Sequence, residues 1–196
     1  MIKRLTIMLI FLSVLVFSGM VEGGVFTVNN PTEFQNVLTT AQSNLQDDVI
    51  YAAPGRYELP SILIYSTSDG DGFLTIQAQD PDDPPVLDGG GSVGIMFIDN
   101  DDNQNGGDAH NDIIIKGLIF VNGNHTYLSG GGFEVHTGEA NIIIKDCIFV
   151  GNSAGRHGGG MSAKTDSGII DIINCIFSEN KTGLRQMEAA CIYKQN

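Results

Sequence analysis

The chain has 196 residues, with ten basic and 23 acidic side chains and a net charge of −13. This length suits one domain. So acidic a composition argues against a nucleic-acid partner and against anionic polysaccharides held by charge alone, and it favours cations or neutral glycans as partners.

The first 23 residues have the pattern of a secretory signal peptide. The basic start Met1–Arg4 precedes an apolar run over residues 5–17, and small residues follow up to Gly23. The run is shorter than the roughly 20 residues of a spanning helix. We predict cleavage after Gly23, which leaves a mature domain over residues 24–196 with no transmembrane segment and a net charge of −14. The protein is therefore expected to be secreted or displayed at the cell surface.

The front half of the mature chain predicts irregular strands and one helix. Val25–Val28 is typical of a strand, and Asn30 and Pro31 are typical of a helix N-cap and first turn. We expect this helix to cap the N-terminal end of a solenoid core. Its apolar stripe consists of Phe34, Leu38, Ala41 and Leu45. Further strands are predicted at Val49–Ala52, Ser61–Tyr65, Phe73–Gln77, Pro84–Asp88 and Gly94–Ile98.

One short motif then occurs three times, with starts 29 and 28 residues apart. The copies are Ile113–Gly123, Ile142–Asn152 and Ile170–Asn180. A fixed period of this length is typical of a solenoid. The apolar residues alternate within each copy, which predicts two short strands around a one-residue corner with bent or left-handed backbone. The corner residues are Gly117, Asp146 and Asn174.

A glycine turn follows the first two copies, at Gly130–Phe133 and Gly158–Met161, and leads into a third strand. Three strands and three corners per turn describe an all-β, right-handed parallel β-helix of roughly five coils with a short N-terminal capping helix. Equivalent residues then stack about 4.8 Å apart. The fold is therefore expected to place Phe120, Phe149 and Phe177 in one internal column.

Cys147 and Cys175 occupy the same place in neighbouring repeats and should both point inward. Two states fit this position. The residues either form a ladder of free buried thiols or form a disulfide from rung to rung, since the Cα separation suits one.

The repeated elements resemble those of polymorphic outer-membrane-protein type β-helices, within the pectate-lyase-like superfamily. They are Phe149–Asn152, Phe177–Asn180, Gly159–Met161 and Gly131–Phe133. Val49–Tyr57 is similar to the first coil of many such exported proteins. The resemblance implies a right-handed β-helix over about residues 25–180, but it selects no function, because the same coil carries lyases, hydrolases and adhesins. Phe120–Gly123 departs from the pattern by moving the asparagine one place.

The end of the chain departs further from the repeat. A third glycine turn is due after Asn180, but Met187–Tyr193 stands in its place. Read in the neighbouring frame, one nucleotide string that encodes this stretch gives Gly-Gly-Gly-Met-Tyr-Ile. We therefore state the hypothesis that a frameshift around residues 182–187 truncated a longer protein. The hypothesis fails if the neighbouring frame of the gene contains no further repeats.

The sequence contains no complete catalytic set. A β-helix lyase needs an arginine or lysine base near calcium-binding carboxylates, and the mature chain has only Arg56, Arg156 and Arg185. Arg156 and His157 form the one basic pair near the regular face. The motifs of a polygalacturonase-like hydrolase are echoed only by Asp101–Asp102 and Arg156–Gly158, at incompatible spacing.

The candidate metal-binding residues also lack the spacing of a known metal site. Asp99–Asp108 is rich in oxygen ligands but lacks the spacing of a calcium loop. The four histidines, His110, His125, His136 and His157, have no zinc spacing. We predict no catalytic, cofactor-binding or metal-ligating residue and no cofactor.

These features favour a non-enzymatic, exported β-helix that acts as a cell-surface or adhesin-type binding module, with a glycan or another surface component as its partner. Two alternatives remain open. One is a pectate-lyase-like polysaccharide lyase or glycoside hydrolase, and the other is a nonfunctional fragment of a longer, frameshifted gene.

Overall fold

The computed structural model describes residues 23–44, 46–67, 72–100, 111–183 and 190–194. Its elements, in chain order, are β1 (Val25–Val28), α1 (Pro31–Ala41), β2 (Asp48–Ala52), β3 (Arg56–Glu58), β4 (Leu63–Ser66), β5 (Leu74–Ala78), β6 (Val86–Asp88), β7 (Met96–Asn100), β8 (Ile113–Lys116), β9 (Ile119–Val121), β10 (Asn124–His125), β11 (Phe133–Thr137), β12 (Ile142–Lys145), β13 (Ile148–Val150), β14 (Ser153–Ala154), β15 (Met161–Thr165), β16 (Ile170–Ile173), β17 (Ile176–Ser178), β18 (Lys181–Thr182) and β19 (Ala190–Lys194).

The strands form four parallel sheets. The first sheet has the order β1-β2-β5-β8-β12-β16, the second β3-β6-β9-β13-β17, the third β4-β7-β11-β15-β19, and the small fourth sheet β10-β14-β18. Each turn of the chain contributes one strand to each main sheet in succession. The result is an all-β parallel solenoid with one short helix near its N-terminal end, as the sequence predicts. It has about four turns, where the sequence predicted roughly five.

The helix begins where the sequence predicts and covers the first turn. Asn30 is extended, and its side chain accepts a hydrogen bond from the Glu33 N–H at 2.9 Å. Phe34 is buried and meets Tyr57 edge-on, with ring centroids 6.2 Å apart. Leu38 and Ala41 are buried as predicted, whereas Leu45 lies outside the described residues. Because the helix packs on β1, β2 and β4, it covers the N-terminal end of the core.

The predicted aromatic column is confirmed. The Phe120 and Phe149 rings lie 4.7 Å apart at 8° to each other, and the Phe149 and Phe177 rings lie 4.8 Å apart at 5°. Phe120 and Phe149 are fully buried, and Phe177 is partly buried. The ring spacing equals the strand spacing because the three strands pair parallel and in register.

The predicted corners are also confirmed. Gly117, Asp146 and Asn174 have φ values of +70°, +54° and +51°, in the left-handed region that glycine, asparagine and aspartate tolerate. A second column of left-handed residues, which the sequence did not predict, follows the second sheet. It consists of Asn122, Gly151 and Glu179, with φ values of +54°, +66° and +57°.

Buried asparagines connect the turns behind this second corner. Asn152 donates from Nδ2 to the Phe120 carbonyl at 3.0 Å and accepts from the Gly123 N–H at 2.7 Å. Asn180 repeats the first bond one level on, to the Phe149 carbonyl at 2.9 Å. The Phe-x-x-Asn element is therefore a device that satisfies backbone groups inside the solenoid.

Among the described residues, both Cys147 and Cys175 are free thiols. The tail also continues the third sheet without a glycine turn, since Ala190 pairs with Met161 and Ile192 with Ala163. Residues 184–189 lie outside the described part, so the frameshift stays a prediction to be tested on the gene.

Candidate functional site

The candidate site lies on the outer face of the third sheet. Along β11, Phe133, Val135 and Thr137 are fully buried and face the core. Glu134 and His136 alternate with them and project from the opposite face. His125, the last residue of β10, approaches the Glu134 carboxylate, and the loop from β10 to β11 begins directly after it.

Glu134 is the chemically unusual residue of this face. It is only 6% exposed. His136 Nε2 lies 3.2 Å from Oε1, and His125 Nδ1 lies 3.7 Å from Oε2. Oε2 itself has no hydrogen-bond partner. A buried carboxylate with an unsatisfied oxygen is costly, and the two imidazoles approach it from either side.

Local chain geometry holds His125 in place. Its Nδ1 also lies 3.1 Å from the Ser129 carbonyl, which closes the loop on itself. The loop returns to the sheet through Gly130, whose φ is +59°. On the other side, a Cβ added at Gly94 would stand 3.4 Å from His125 Cγ and 3.2 Å from Ile62 Cδ1. The Gly94 backbone therefore lies close to the imidazole just before β7, and a methyl group there would press mainly on Ile62.

An open groove runs beside the imidazole. We call it the Tyr127 groove, with a volume of about 440 Å³. Its lining consists of Pro60, Ser61, Ile62, Ser92, Val93, Gly94, Asn124, His125, Thr126, Tyr127 and Leu128. Tyr127 is 81% exposed and Leu128 is 46% exposed. The groove thus combines an exposed aromatic ring with hydroxyl, amide and imidazole groups.

A second groove, of about 530 Å³, lies at the corner between the first and second sheets. Tyr51, Gln77 and Lys116 contribute to it from neighbouring strands, and Pro81 and Pro84 come from the loop between β5 and β6. It has no aromatic side chain exposed like Tyr127. We therefore regard the Tyr127 groove as the stronger candidate.

The basic residues that the sequence singled out fall in different places. The Arg156 side chain is exposed, and its backbone N–H donates to the Leu128 carbonyl at 3.1 Å. Arg156 and His157 therefore lie on the loop stacked next to the loop that carries Tyr127. Arg56 instead forms an ion pair with Asp88.

The Asp88 carboxylate is fixed by several donors and serves the turn around it. Burial disfavours its charge, but hydrogen bonds from the Gly90 N–H at 2.9 Å, from Asn122 at 3.1 Å and from Arg56 outweigh burial and lower the pKa of Asp88. This is a structural arrangement at the start of the glycine-rich turn after β6.

Other sequence candidates are not described. Asp101–Asp102, His110 and Arg185 lie outside the described residues, as does most of the acidic stretch Asp99–Asp108. In the part of the chain that is described, no three His, Cys, Asp or Glu side chains converge as metal ligands. His125 and His136 approach different oxygens of Glu134, which agrees with that finding.

Sequence reasoning did not bring His125, Glu134 and His136 together. Glu134 and His136 lie two apart on one strand, so a shared face could have been predicted from the alternation. His125 lies at the end of β10, a two-residue strand of the fourth sheet that the sequence did not predict, so its approach to Glu134 was not foreseen.

Comparison of the chain with protein families, with curated proteins and with solved structures gives no match. Within the described ranges, no helix is both long enough and apolar enough to span a lipid bilayer.

Proposed function

We propose that the protein is an exported, cell-surface or adhesin-type binding module that holds a neutral glycan in the Tyr127 groove. The observation that carries the proposal is the 81% exposure of Tyr127 on an open groove whose lining is mostly apolar and also includes hydroxyl, amide and imidazole groups. An exposed aromatic ring offers an apolar face to the C–H side of a sugar, while neighbouring polar groups bond its hydroxyls. The net charge of −13 favours a neutral glycan over an anionic one.

The proposal also includes secretion of the protein and its membership of a family of β-helix repeats. The basic and apolar start of residues 1–23 supports secretion through a cleaved signal peptide. The Phe-x-x-Asn and glycine-turn elements support a place among polymorphic outer-membrane-protein type repeats of the pectate-lyase-like superfamily. Amino-terminal sequencing of the secreted product tests the cleavage. A mature start far from residue 24 would contradict the predicted cleavage site, and retention in the cytoplasm would contradict export.

The binding proposal is tested by titrating the purified chain with neutral oligosaccharides in a calorimeter. We expect Tyr127→Ala to weaken binding by about tenfold or more, the effect of removing a central aromatic anchor. Phe73→Ala is the matched control, because Phe73 is also exposed, at 44%, and lines neither groove. The proposal is wrong if no neutral glycan binds, or if both variants bind as the unmodified chain does.

The second candidate function is that of a polysaccharide lyase or glycoside hydrolase. The buried Glu134 carboxylate between two imidazoles favours it, because general acid–base catalysis uses such groups next to a bound substrate. His125 lines the Tyr127 groove and lies between Glu134 and the space a glycan would occupy.

Turnover distinguishes the two candidates. The chain is incubated with uronic-acid and neutral glycans in the presence of calcium, and new reducing ends or unsaturated products are measured. If the Glu134→Gln variant forms no products, catalysis by Glu134 with His125 and His136 is supported. If the Arg156→Ala variant forms no products, a lyase-like base on the neighbouring loop is supported instead. Either outcome contradicts the proposal that the protein only binds glycans. Absence of turnover with intact glycan binding supports the first proposal.

A further inference from the structure

The two cysteines face each other inside the solenoid. Cys147 and Cys175 follow the left-handed corners Asp146 and Asn174 in successive turns, one level apart. The pairs on both sides are in register, Lys145 with Ile173 and Ile148 with Ile176. The Ile176 N–H also donates to the Cys147 carbonyl at 2.9 Å.

This register brings the two residues to one strand spacing. Neighbouring strands lie about 4.7–4.9 Å apart, and disulfides span Cα separations of roughly 4.4–6.8 Å. Each thiol also lies near the carbonyl two residues before it, Cys147 Sγ at 3.3 Å from Lys145 O and Cys175 Sγ at 3.4 Å from Ile173 O. The two side chains therefore leave the backbone in the same way, one above the other.

The two thiols differ in access and in acidity. Cys147 is fully buried, whereas Cys175 is only partly buried. A hydrogen bond from Cys147 lowers the pKa of Cys175 to about 7. The same bond, together with burial, raises the pKa of Cys147. Cys175 is thus the more accessible and the more acidic thiol, and Cys147 is the protected thiol beside it.

We propose that Cys147 and Cys175 form a redox-active dithiol that exchange with a small-molecule disulfide converts to a disulfide between two turns of the solenoid. In the first step the Cys175 thiolate attacks one sulfur of glutathione disulfide, the S–S bond breaks, and one glutathione leaves as its thiolate. In the second step Cys147 gives up its proton and attacks Cys175 Sγ, and the second glutathione leaves. Two protein thiols are oxidised, and one glutathione disulfide is reduced to two glutathione molecules.

The test uses the full chain carrying Cys191→Ser, because Cys191 is the only other cysteine. Cys191 lies on β19 of the third sheet, whereas the pair lies at the corner between the first and second sheets. The protein is incubated with glutathione disulfide at pH 7.5, then alkylated under denaturing conditions and weighed by mass spectrometry. Trypsin cleavage after Arg156 and Lys164 places the two cysteines in separate peptides.

We expect a mass loss of two hydrogens and a linked pair of peptides that separates on reduction. The oxidised chain should also unfold at a higher denaturant concentration than the reduced chain, because the cross-link restricts the unfolded state. Cys147→Ser should stop at the mixed disulfide and carry one glutathione on Cys175. Cys175→Ser should leave Cys147 unreacted unless denaturant is added.

Three results would overturn the proposal. They are two unmodified thiols after prolonged incubation, glutathione carried by Cys147 in the Cys175→Ser variant, and loss of native circular dichroism on oxidation. None depends on glycan binding, so failure here and failure of the proposed function are distinguishable.

Discussion

Phe149→Ala tests the central physical feature of the fold, the continuous aromatic column. Phe149 is fully buried and stacks on two rings, at 4.7 Å and 4.8 Å. Truncation of a buried phenylalanine costs about 3–5 kcal/mol, and each aromatic pair adds about 0.5–1.5 kcal/mol beyond its area. We therefore expect a loss of about 4–5 kcal/mol in the free energy of unfolding.

Phe177→Ala is the matched comparison within the same column. Phe177 is partly buried, and Phe149 is its one stacked ring among the described residues. We expect a loss of about 2 kcal/mol, roughly half the cost at Phe149. Ile148→Ala serves as the control, because Ile148 adjoins Phe149 but projects outward, and it should cost about 1 kcal/mol or less.

Guanidinium denaturation followed by far-ultraviolet circular dichroism measures all three losses. The prediction is that the loss in the free energy of unfolding decreases in the order Phe149, Phe177, Ile148. Equal losses at Phe149 and Phe177, or a loss at Phe149 no larger than that at Ile148, would refute a stacked interior column.

Three further predictions concern the corners and turns. Asn152→Ala should cost about 2–4 kcal/mol in denaturation experiments, because it leaves two buried backbone groups unpaired, whereas exposed Asn174→Ala should cost less than half as much. Glu179→Gly should stabilise the chain by about 0.5–1 kcal/mol, because glycine adopts left-handed backbone without strain. Gly151→Glu should destabilise the chain by a similar amount. Changes of the same sign in the free energy of unfolding of the two variants would contradict this reasoning. Because the pKa of Asp88 is lowered, its carboxylate stabilises the fold above the ordinary pKa of 3.8, and this stability is lost as pH falls below 3.8. Asp88→Asn should therefore flatten the acid limb of the stability–pH curve. An unchanged acid limb would contradict the assignment.

The regular features could be predicted because they depend on periodicity. The 28- and 29-residue spacing fixes which strands are neighbours, and alternation within each copy fixes which side chains face the core. Phe120, Phe149 and Phe177 therefore stack as predicted, and Gly117, Asp146 and Asn174 form corners as predicted. The helix follows from local rules, since Asn30 and Pro31 start it.

Other features depend on conformations that residue type does not encode. Glu179 adopts left-handed backbone although glutamate rarely does, because the corner column beside Asn122 and Gly151 imposes it. The contact of His125 with Glu134 depends on β10, a two-residue strand of the small fourth sheet. The sequence shows the residue types and their positions along the chain, but not that His125 and Glu134 lie close together.

The parallel register of the sheets also determines how the molecule bears mechanical load. Hydrogen bonds between neighbouring turns lie along the solenoid axis, and each turn contacts only the next. Tension along that axis therefore opens the bonds a few at a time, turn by turn, and gives a series of small rupture events. Tension applied along the strands must instead shear many bonds at once, so the fold resists stretching far better across its axis than along it.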